Sequence, residues 1–337
     1  MKSPFTGKEM TLLKEQREIV FRKEAFEVTF HFWKCADTEQ QFTDERLDEL
    51  NLEQAHAQYR VRHRLPFKEE IAQIREQYGI SAAKMSEILG FGVNVYRQYE
   101  AGEVPNESNA RLIQLASVPE DFRRLVQLCD GIDEKYRTKL LMHIDQMRAH
   151  SLEQAKQQSL EEYLVGSRNP DEYSGYRRPS LSKVGALVAA FAKAMQPWKT
   201  QLNKLLFYAD FIHFSKTCQS ITGLRYIAIK MGPVPKNFDG IFQYLVNQDV
   251  CSIDYVEYDD SIVGERFLPA SSDLAANLTD EELDTVKEVV RRFEGMSTRD
   301  IVFLSHLERA WVETIDQENR GISYQQYAFN LQRYQVL

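Results

Sequence analysis

The chain has 337 residues, of which 43% are hydrophobic, so it is long enough for two or three domains and at least one good core. The formal net charge of −8 argues against a general nucleic-acid coat, although a local DNA-reading face is compatible with it. No apolar run approaches the roughly 20 residues that span a bilayer, and the N-terminus lacks the apolar segment of a secretory signal. The four cysteines lie far apart without a CxxC pair, which favours reduced thiols and a cytoplasmic protein.

The first 42 residues have the pattern of a β-rich unit. Phe26, Val28, Phe30 and Phe32 alternate with polar or aromatic neighbours, the period of two that is typical of a half-buried strand. A polar connector helix is predicted from residue 44 to residue 64, with breaks. We therefore predict a first domain over residues 1–65.

Two short segments of this domain, residues 3–8 and 35–38, have the layout of zinc knuckles. The four ligand positions are occupied by Ser3, Thr6, Cys35 and Thr38. Because tetrahedral zinc needs four nitrogen or sulfur ligands, we expect no metal here, and the chain suggests no other cofactor. The alternative is that residues 3–7 form an ordinary surface turn.

Residues 66–118 have the pattern of a helix-turn-helix unit. Pro66 suits the first turn of a helix, Ser81 suits the cap of a second, and a Gly-Phe-Gly turn precedes a third helix over Val93–Tyr99. Polar side chains on that third helix can bond base edges in a DNA groove. The predicted DNA-binding residues are Asn94, Arg97, Gln98, Tyr96 and Lys84. The alternative is an ordinary three-helix packing unit.

The charge of this segment is not that of a strong DNA binder. Residues 84–111 contain three basic and four acidic side chains. Phosphate contacts supply much of the affinity of DNA-binding proteins. They would have to come from Arg60, Arg62 and Arg64, or from a second copy of the chain.

Residues 119–180 are predicted to form helices and then a linker, because residues 166–180 are rich in Gly, Ser, Pro and polar side chains. After this linker, Leu202–Phe214 is apolar almost all round, which indicates a helix buried inside a C-terminal domain over residues 181–337. Four polar residues interrupt the apolar run. They are Lys204, Tyr208, Asp210 and His213. Buried charges need partners. Asp210 and His213 have a spacing that allows a pair, and Lys204 and Tyr208 share another face. These residues either organise a partner-binding surface or form an internal polar network.

A short strand at Tyr226–Lys230 is followed by Gly232–Pro235, which is predicted to be a rigid turn because two prolines fix the backbone. Such a turn is either a plain corner or a pre-organised binding loop. Ser305 and His306, with Asp210, contain the residue types of a hydrolase triad. No activating turn or oxyanion loop surrounds Ser305, so we predict no enzyme, and we expect His306 and Trp311 to fix the core.

Residues 1 to about 116 resemble the MqsA-type antitoxins, which have a two-knuckle zinc domain, a connector and an Xre-like helix-turn-helix. The matching segments are 3–10, 35–38, 89–94 and 99–103. In that family an Asn and an Arg four residues later read the operator. Asn94 matches the first, whereas the second position is Gln98, next to Arg97.

Residues from about 182 to 328 resemble the Panacea, or SocA-like, antitoxin domain. The matching segments, in order, are 202–210, 220–223, 232–235, 305–306, 308, 310–311 and 322–324. The resemblance implies a mostly helical domain with a short sheet that binds and neutralises a partner toxin. Its predicted toxin-binding or domain-organising residues are Lys204, Tyr208, Asp210, His213, Lys230, Pro233, Pro235, His306 and Trp311.

The sequence thus predicts a mainly α-helical antitoxin that neutralises a cognate toxin by direct binding through its C-terminal domain. Operator DNA and a second copy of the chain are the other expected partners, and no membrane is expected. The alternatives are a proteolytic adaptor that delivers a toxin to a protease, and a transcription regulator without a toxin.

Overall fold

The computed structural model describes residues 2–4, 6–149, 151–166, 169–259, 262–270 and 277–332. Phe5 of the first knuckle segment, and Ser167 and Arg168 of the predicted linker, lie outside the described residues. Within them the fold is mainly helical with three small antiparallel sheets, which confirms the predicted fold class. None of the helices in these ranges is long and apolar enough to cross a membrane.

The chain divides into two compact units that are not consecutive in sequence. The first contains Met1–Val20, Glu27–Gln54 and Glu161–Leu337, and the second contains Phe21–Phe26 and Ala55–Leu160. The N-terminal strands therefore share a unit with the C-terminal half of the chain. The domain boundaries after residues 65, 118 and 180 stay predictions.

The N-terminal sheet contains β1 (Thr11–Phe21), β2 (Glu24–Lys34) and β3 (Gln41–Phe42), in the order β1-β2-β3. The two-residue turn between β1 and β2, Arg22–Lys23, has positive φ at both positions, 48° and 70°. These are the angles of a type I′ turn, whose twist matches that of the strands it joins. The sheet is thus a hairpin with a short third strand.

Helix α1 (Glu45–His63) is continuous, without the predicted breaks. Asp44 caps it by accepting a hydrogen bond from the Leu47 amide at 2.9 Å, so the helix begins one residue after the predicted start. The amides of Asn51 and Gln54 on this helix bond the backbone of β2 at His31 and Thr29. These bonds satisfy the backbone groups of both buried β2 residues, Thr29 and His31.

The second unit consists of short helices around one apolar core. Ser81 caps α3 by accepting from the Lys84 amide at 3.2 Å, as predicted. Tyr96 and Phe122 are fully buried in this core. The helices are α2 (Lys68–Glu76), α3 (Ala82–Ile88), α4 (Val95–Glu100), α5 (Glu107–Ala116), α6 (Pro119–Leu128), α7 (Glu134–Ala149) and α8 (Ser151–Val165), of which the end of α8 belongs to the first unit.

The C-terminal part of the first unit surrounds one buried helix, α10. Its elements are α9 (Leu181–Met195), α10 (Lys199–Thr217), β4 (Tyr226–Ile229), β5 (Gly232–Pro235), α11 (Phe238–Asn247), β6 (Cys251–Asp259), β7 (Ile262–Pro269), α12 (Asp280–Phe293), α13 (Thr298–Leu307), α14 (Arg309–Val312), β8 (Gly321–Ile322), α15 (Tyr324–Tyr327) and a 3₁₀ turn at Ala328–Asn330. The strands form a sheet of order β5-β4-β8 and a separate hairpin of β6 and β7.

Candidate functional site

Helix α10 is buried over thirteen consecutive residues, Leu202 to Phe214, as its sequence predicts. Gln201 caps its start by accepting from the Trp198 amide at 3.0 Å, and Cys218 ends it in the left-handed conformation, with φ of 58°. The helix packs against α9, α12, α13, β5 and the 3₁₀ turn. Each polar side chain on it must therefore find its partner inside the protein.

Asp210 ties the loop before β4 to the middle of α10. Its carboxylate accepts from the amides of Ile221 and Thr222 at 2.8 and 2.9 Å, from the Thr222 hydroxyl, and from the Tyr226 hydroxyl at 2.8 Å. Burial raises the pKa of Asp210, while these four donors oppose the rise. Asp210 thus holds interior parts of the domain together and is not part of an exposed surface.

Lys204 holds β5 against α10. Its ammonium is fully buried and donates to the Pro233 carbonyl at 3.0 Å. Gly232 makes this approach feasible, because a Cβ there would lie 2.7 Å from the Lys204 side chain, and its φ of +96° favours glycine. Burial lowers the pKa of Lys204 to about 7.

Replacing this lysine should change how stability depends on pH. Since the pKa falls from 10.5 in the unfolded chain to about 7 in the folded chain, the unfolded chain binds more protons between these values, and stability rises with pH. Between pH 7 and 9, Lys204→Met should remove about 2 kcal/mol of the increase in the free energy of unfolding. Denaturant unfolding at several pH values measures it. Exposed Lys287→Met is the control, and an unchanged pH slope in Lys204→Met would contradict the assignment.

The other two polar residues of α10 also have distant partners. Tyr208 donates to Glu308 at 3.2 Å, and burial raises the pKa of that carboxyl. His213 shares a hydrogen bond of 3.2 Å with the Thr285 hydroxyl, and burial lowers its pKa to about 4. Asp210 and His213 are therefore each bonded to residues outside α10 rather than to each other.

The segment predicted to be a rigid turn is a strand. Gly232–Pro235 forms β5, whose Pro233 and Pro235 lie opposite Ala228 and Tyr226 of β4 and are buried. Prolines fit because β5 is at the edge of its sheet, where an N–H on the outer side is not needed. The turn lies just before it, at residues 230–231, and Lys230 is exposed there.

His306 and Trp311 hold this β4–β5 turn. The His306 ring stacks on Trp311 with centroids 4.0 Å apart, and burial lowers the pKa of His306. Trp311 donates from its indole to the Ile229 carbonyl at 2.8 Å. The corner between α13 and α14 is thereby fixed against the turn.

Four large apolar side chains on the β4–β5 turn, α13 and α14 are exposed. Phe303 and Leu307 lie four residues apart on α13, Met231 is in the β4–β5 turn, and Val312 ends α14. Their exposed fractions are 60%, 39%, 50% and 54%. We call these four residues the turn patch. The sequence did not single them out, because α13 is apolar on several sides and its pattern does not show which side faces water.

The residue types of a hydrolase triad are not arranged as one. Ser305 donates to the Val302 carbonyl at 2.8 Å, and the His306 ring stacks on Trp311. Asp210 is bonded to the loop before β4. None of these contacts joins the serine, the histidine and the aspartate.

The two knuckle segments come together at the N-terminus. The Cys35 sulfur lies 3.7 Å from the Thr6 hydroxyl, and hydrogen bonds from Ser3 and Thr38 lower the pKa of the Cys35 thiol to about 6. Within the described residues, no group of three or more His, Cys, Asp or Glu side chains could hold a metal ion. The likeness to a zinc ribbon stays a prediction.

The predicted DNA-reading residues have three different environments. Asn94, Arg97 and Gln98 are exposed on or beside α4. Tyr96 is fully buried, and its hydroxyl donates to the Ile71 carbonyl at 2.8 Å, so it supports the core. Lys84 forms an ion pair of 2.7 Å with Glu87.

The three arginines predicted as alternatives for phosphate contacts also differ in exposure and in their partners. Arg60 is fully buried and donates to the Gly102 carbonyl at 2.7 Å, so it is not available to DNA. Arg62 is half exposed but pairs with Glu24 at 2.8 Å. Arg64 is exposed. A DNA contact would therefore depend mainly on Arg64 and Arg97.

Residues 202–312 match the family model described as "Antitoxin SocA-like, Panacea domain". No curated protein matches the chain. The matched range contains α10 with its four polar residues, the strands β4 and β5, and all four residues of the turn patch. Residues 202–312 of this chain are therefore similar to an antitoxin-like, SocA-type Panacea domain.

Proposed function

We propose that the chain is an antitoxin, without enzymatic activity, that neutralises a cognate toxin by direct binding through its Panacea domain. The match of residues 202–312 to an antitoxin family carries this proposal. The buried positions of Lys204, Asp210 and His213 support binding rather than catalysis, because each is engaged in holding the domain together.

The turn patch is our proposed toxin-binding surface. Exposed apolar groups that lie together mark interaction sites, and aromatic side chains such as Phe303 contribute most to binding energy. The patch is pre-organised, since His306 and Trp311 fix the turn and the α13–α14 corner on which it lies. Lys230, exposed in the same turn, adds a cation at its edge.

The direct test is neutralisation in a purified reaction. The toxin encoded next to this gene is assayed alone, with the full chain, and with the full chain plus a cellular protease. We expect inhibition without protease. Inhibition only when protease is present would replace this proposal with a proteolytic adaptor, and the absence of any toxic neighbouring gene would favour a transcription regulator.

We further propose that the helix-turn-helix binds operator DNA as a homodimer and thereby regulates the gene. The exposure of Asn94, Arg97 and Gln98 on one short helix favours this role. Asn94→Ala and Arg97→Ala should each weaken binding to the gene's own upstream DNA by about 1–3 kcal/mol in gel-shift titrations. Lys139→Ala, which removes an exposed cation from α7, should have little effect. No shift at low salt, where phosphate contacts are strongest, would contradict the DNA role.

A further inference from the structure

β1 is a long strand at the edge of the N-terminal sheet. It spans eleven residues, twice the usual strand length, and its first six residues are all exposed. Among the described residues, β2 is the strand that pairs with β1. Such an edge is a template for another strand unless something blocks it, and β1 contains no proline.

The outward-facing backbone groups of β1 can be assigned. The two-residue turn at Arg22–Lys23 places Gln16 opposite Thr29, and the Gln16 side-chain amide donates to the Thr29 hydroxyl at 3.1 Å. The backbone of Thr29 and His31 is bonded to the amides of Gln54 and Asn51, on the side of β2 away from β1. In an antiparallel ladder, the backbone N–H and C=O groups of two opposite residues either point toward each other or both point away. Since those of Thr29 point away from β1, those of Gln16 point to the free edge.

Every second residue of β1 shares this direction. The residues whose N–H and C=O groups face the free edge are Leu12, Lys14, Gln16, Glu18 and Val20. An antiparallel partner that bonds this edge must place its own outward-facing residues opposite them. A second copy of β1 meets this condition when the two-fold axis passes through an even-numbered residue, because even-numbered residues then lie opposite even-numbered residues.

We propose that β1 pairs with β1 of a second copy of this chain, antiparallel about Gln16, so that the two three-stranded sheets become one. In this register Lys14 lies opposite Glu18, and Glu15 lies opposite Arg17. The apolar ends also match, since Leu13 meets Ile19. Leu12 likewise meets Val20, which is 71% exposed in the single chain. Each pair occurs twice, because the interface is two-fold symmetric.

The charge pattern selects this register over its neighbours. An axis through Lys14 or Glu18 would place that charge opposite its own copy, and so would parallel pairing in register. Like charges directly opposite destabilise a sheet, whereas opposite charges stabilise it. The Lys14 ammonium also donates to the Phe329 carbonyl.

This inference deepens the homodimer proposed above by naming its surface. It does not depend on toxin binding, because β1 lies outside residues 202–312. A failure of the β1 pairing would therefore leave the neutralisation test unchanged, and a failure of neutralisation would leave the pairing intact.

A charge exchange tests the register in the full chain. Sedimentation equilibrium over a range of concentrations measures the dimer dissociation constant. Lys14→Glu and Glu18→Lys should each weaken the dimer about tenfold, because each creates two like-charge pairs. The double variant restores opposite charges and should return to within about threefold of the natural chain. A monomer at all concentrations, or single variants that dimerise normally, would overturn the proposal.

Cross-linking provides a second test that does not rely on the strength of the dimer. Gln16→Cys places two thiols opposite each other at the axis, within the range for a disulfide, so mild oxidation should give a covalent dimer. Lys14→Cys is the matched control, since its two thiols would be about 13 Å apart along the strands. The four natural cysteines are buried and should not interfere. Equal cross-linking of both variants, or of neither, would overturn the register.

Discussion

Asp210→Ala is expected to lower the free energy of unfolding by about 3–5 kcal/mol. The change leaves the amides of Ile221 and Thr222 and the hydroxyls of Thr222 and Tyr226 without their acceptor. Each buried donor that loses its partner costs about 1–3 kcal/mol, and some relaxation of the loop reduces the sum. Denaturant unfolding of the full chain measures the effect.

Two variants separate this role from a general loss of charge. Asp284→Ala removes an exposed carboxylate that pairs with neighbouring Lys287, and should leave the free energy of unfolding nearly unchanged. Asp210→Asn keeps one acceptor oxygen, so its loss of stability should lie between those of Asp210→Ala and Asp284→Ala. A loss below about 1 kcal/mol in Asp210→Ala would mean that the loop does not depend on this carboxylate.

The burial of α10 could be predicted from its sequence, but the partners of its polar residues could not. An apolar pattern all round indicates an interior helix whatever surrounds it. The partners, by contrast, come from distant parts of the chain. Tyr208 bonds a residue 100 positions away and His213 one 72 positions away. The sequence suggested a pair of Asp210 and His213 within the helix, whereas in the structure both residues bond partners outside it.

The Gly-Pro-Val-Pro segment shows how local preference can mislead. Two prolines indicate a turn when only the sequence is known. At a sheet edge, however, proline is compatible with a strand, and Pro233 uses its carbonyl to accept from Lys204. The position of β5 at the edge depends on the order of β5, β4 and β8, which no local pattern reveals.

The N-terminal strands illustrate the same limit at a larger scale. Their period of two predicted a β-rich region, and the sheet confirms it. Their membership of the C-terminal unit was not predictable, because it rests on contacts such as His31 with Phe329 and Gln54 with Gln325. A fragment over residues 181–337 would lack these partners, so neutralisation is better tested with the full chain.

Phe303→Asp is expected to abolish neutralisation while leaving the fold intact. Phe303 is 60% exposed, so its replacement removes little buried area, and stability should change by less than about 0.5 kcal/mol. At the centre of an interface, loss of an aromatic anchor costs about 2–4 kcal/mol, a factor of roughly 30 to 1,000 in the dissociation constant. An introduced carboxylate adds the cost of burying an unpaired charge.

The effect must be specific to the turn patch for the proposal to hold. Leu128→Asp makes the same kind of change at a more exposed apolar residue, 78% exposed at the end of α6 and outside the matched residues 202–312. It should leave toxin binding, measured by calorimetric titration of the purified proteins, and growth rescue unchanged. If Phe303→Asp neutralises as well as the natural chain, the toxin binds elsewhere on the domain. If both variants fail, the loss reflects general damage by a surface charge. Only failure of the α13 variant alone would place the toxin on the turn patch that His306 and Trp311 hold in position.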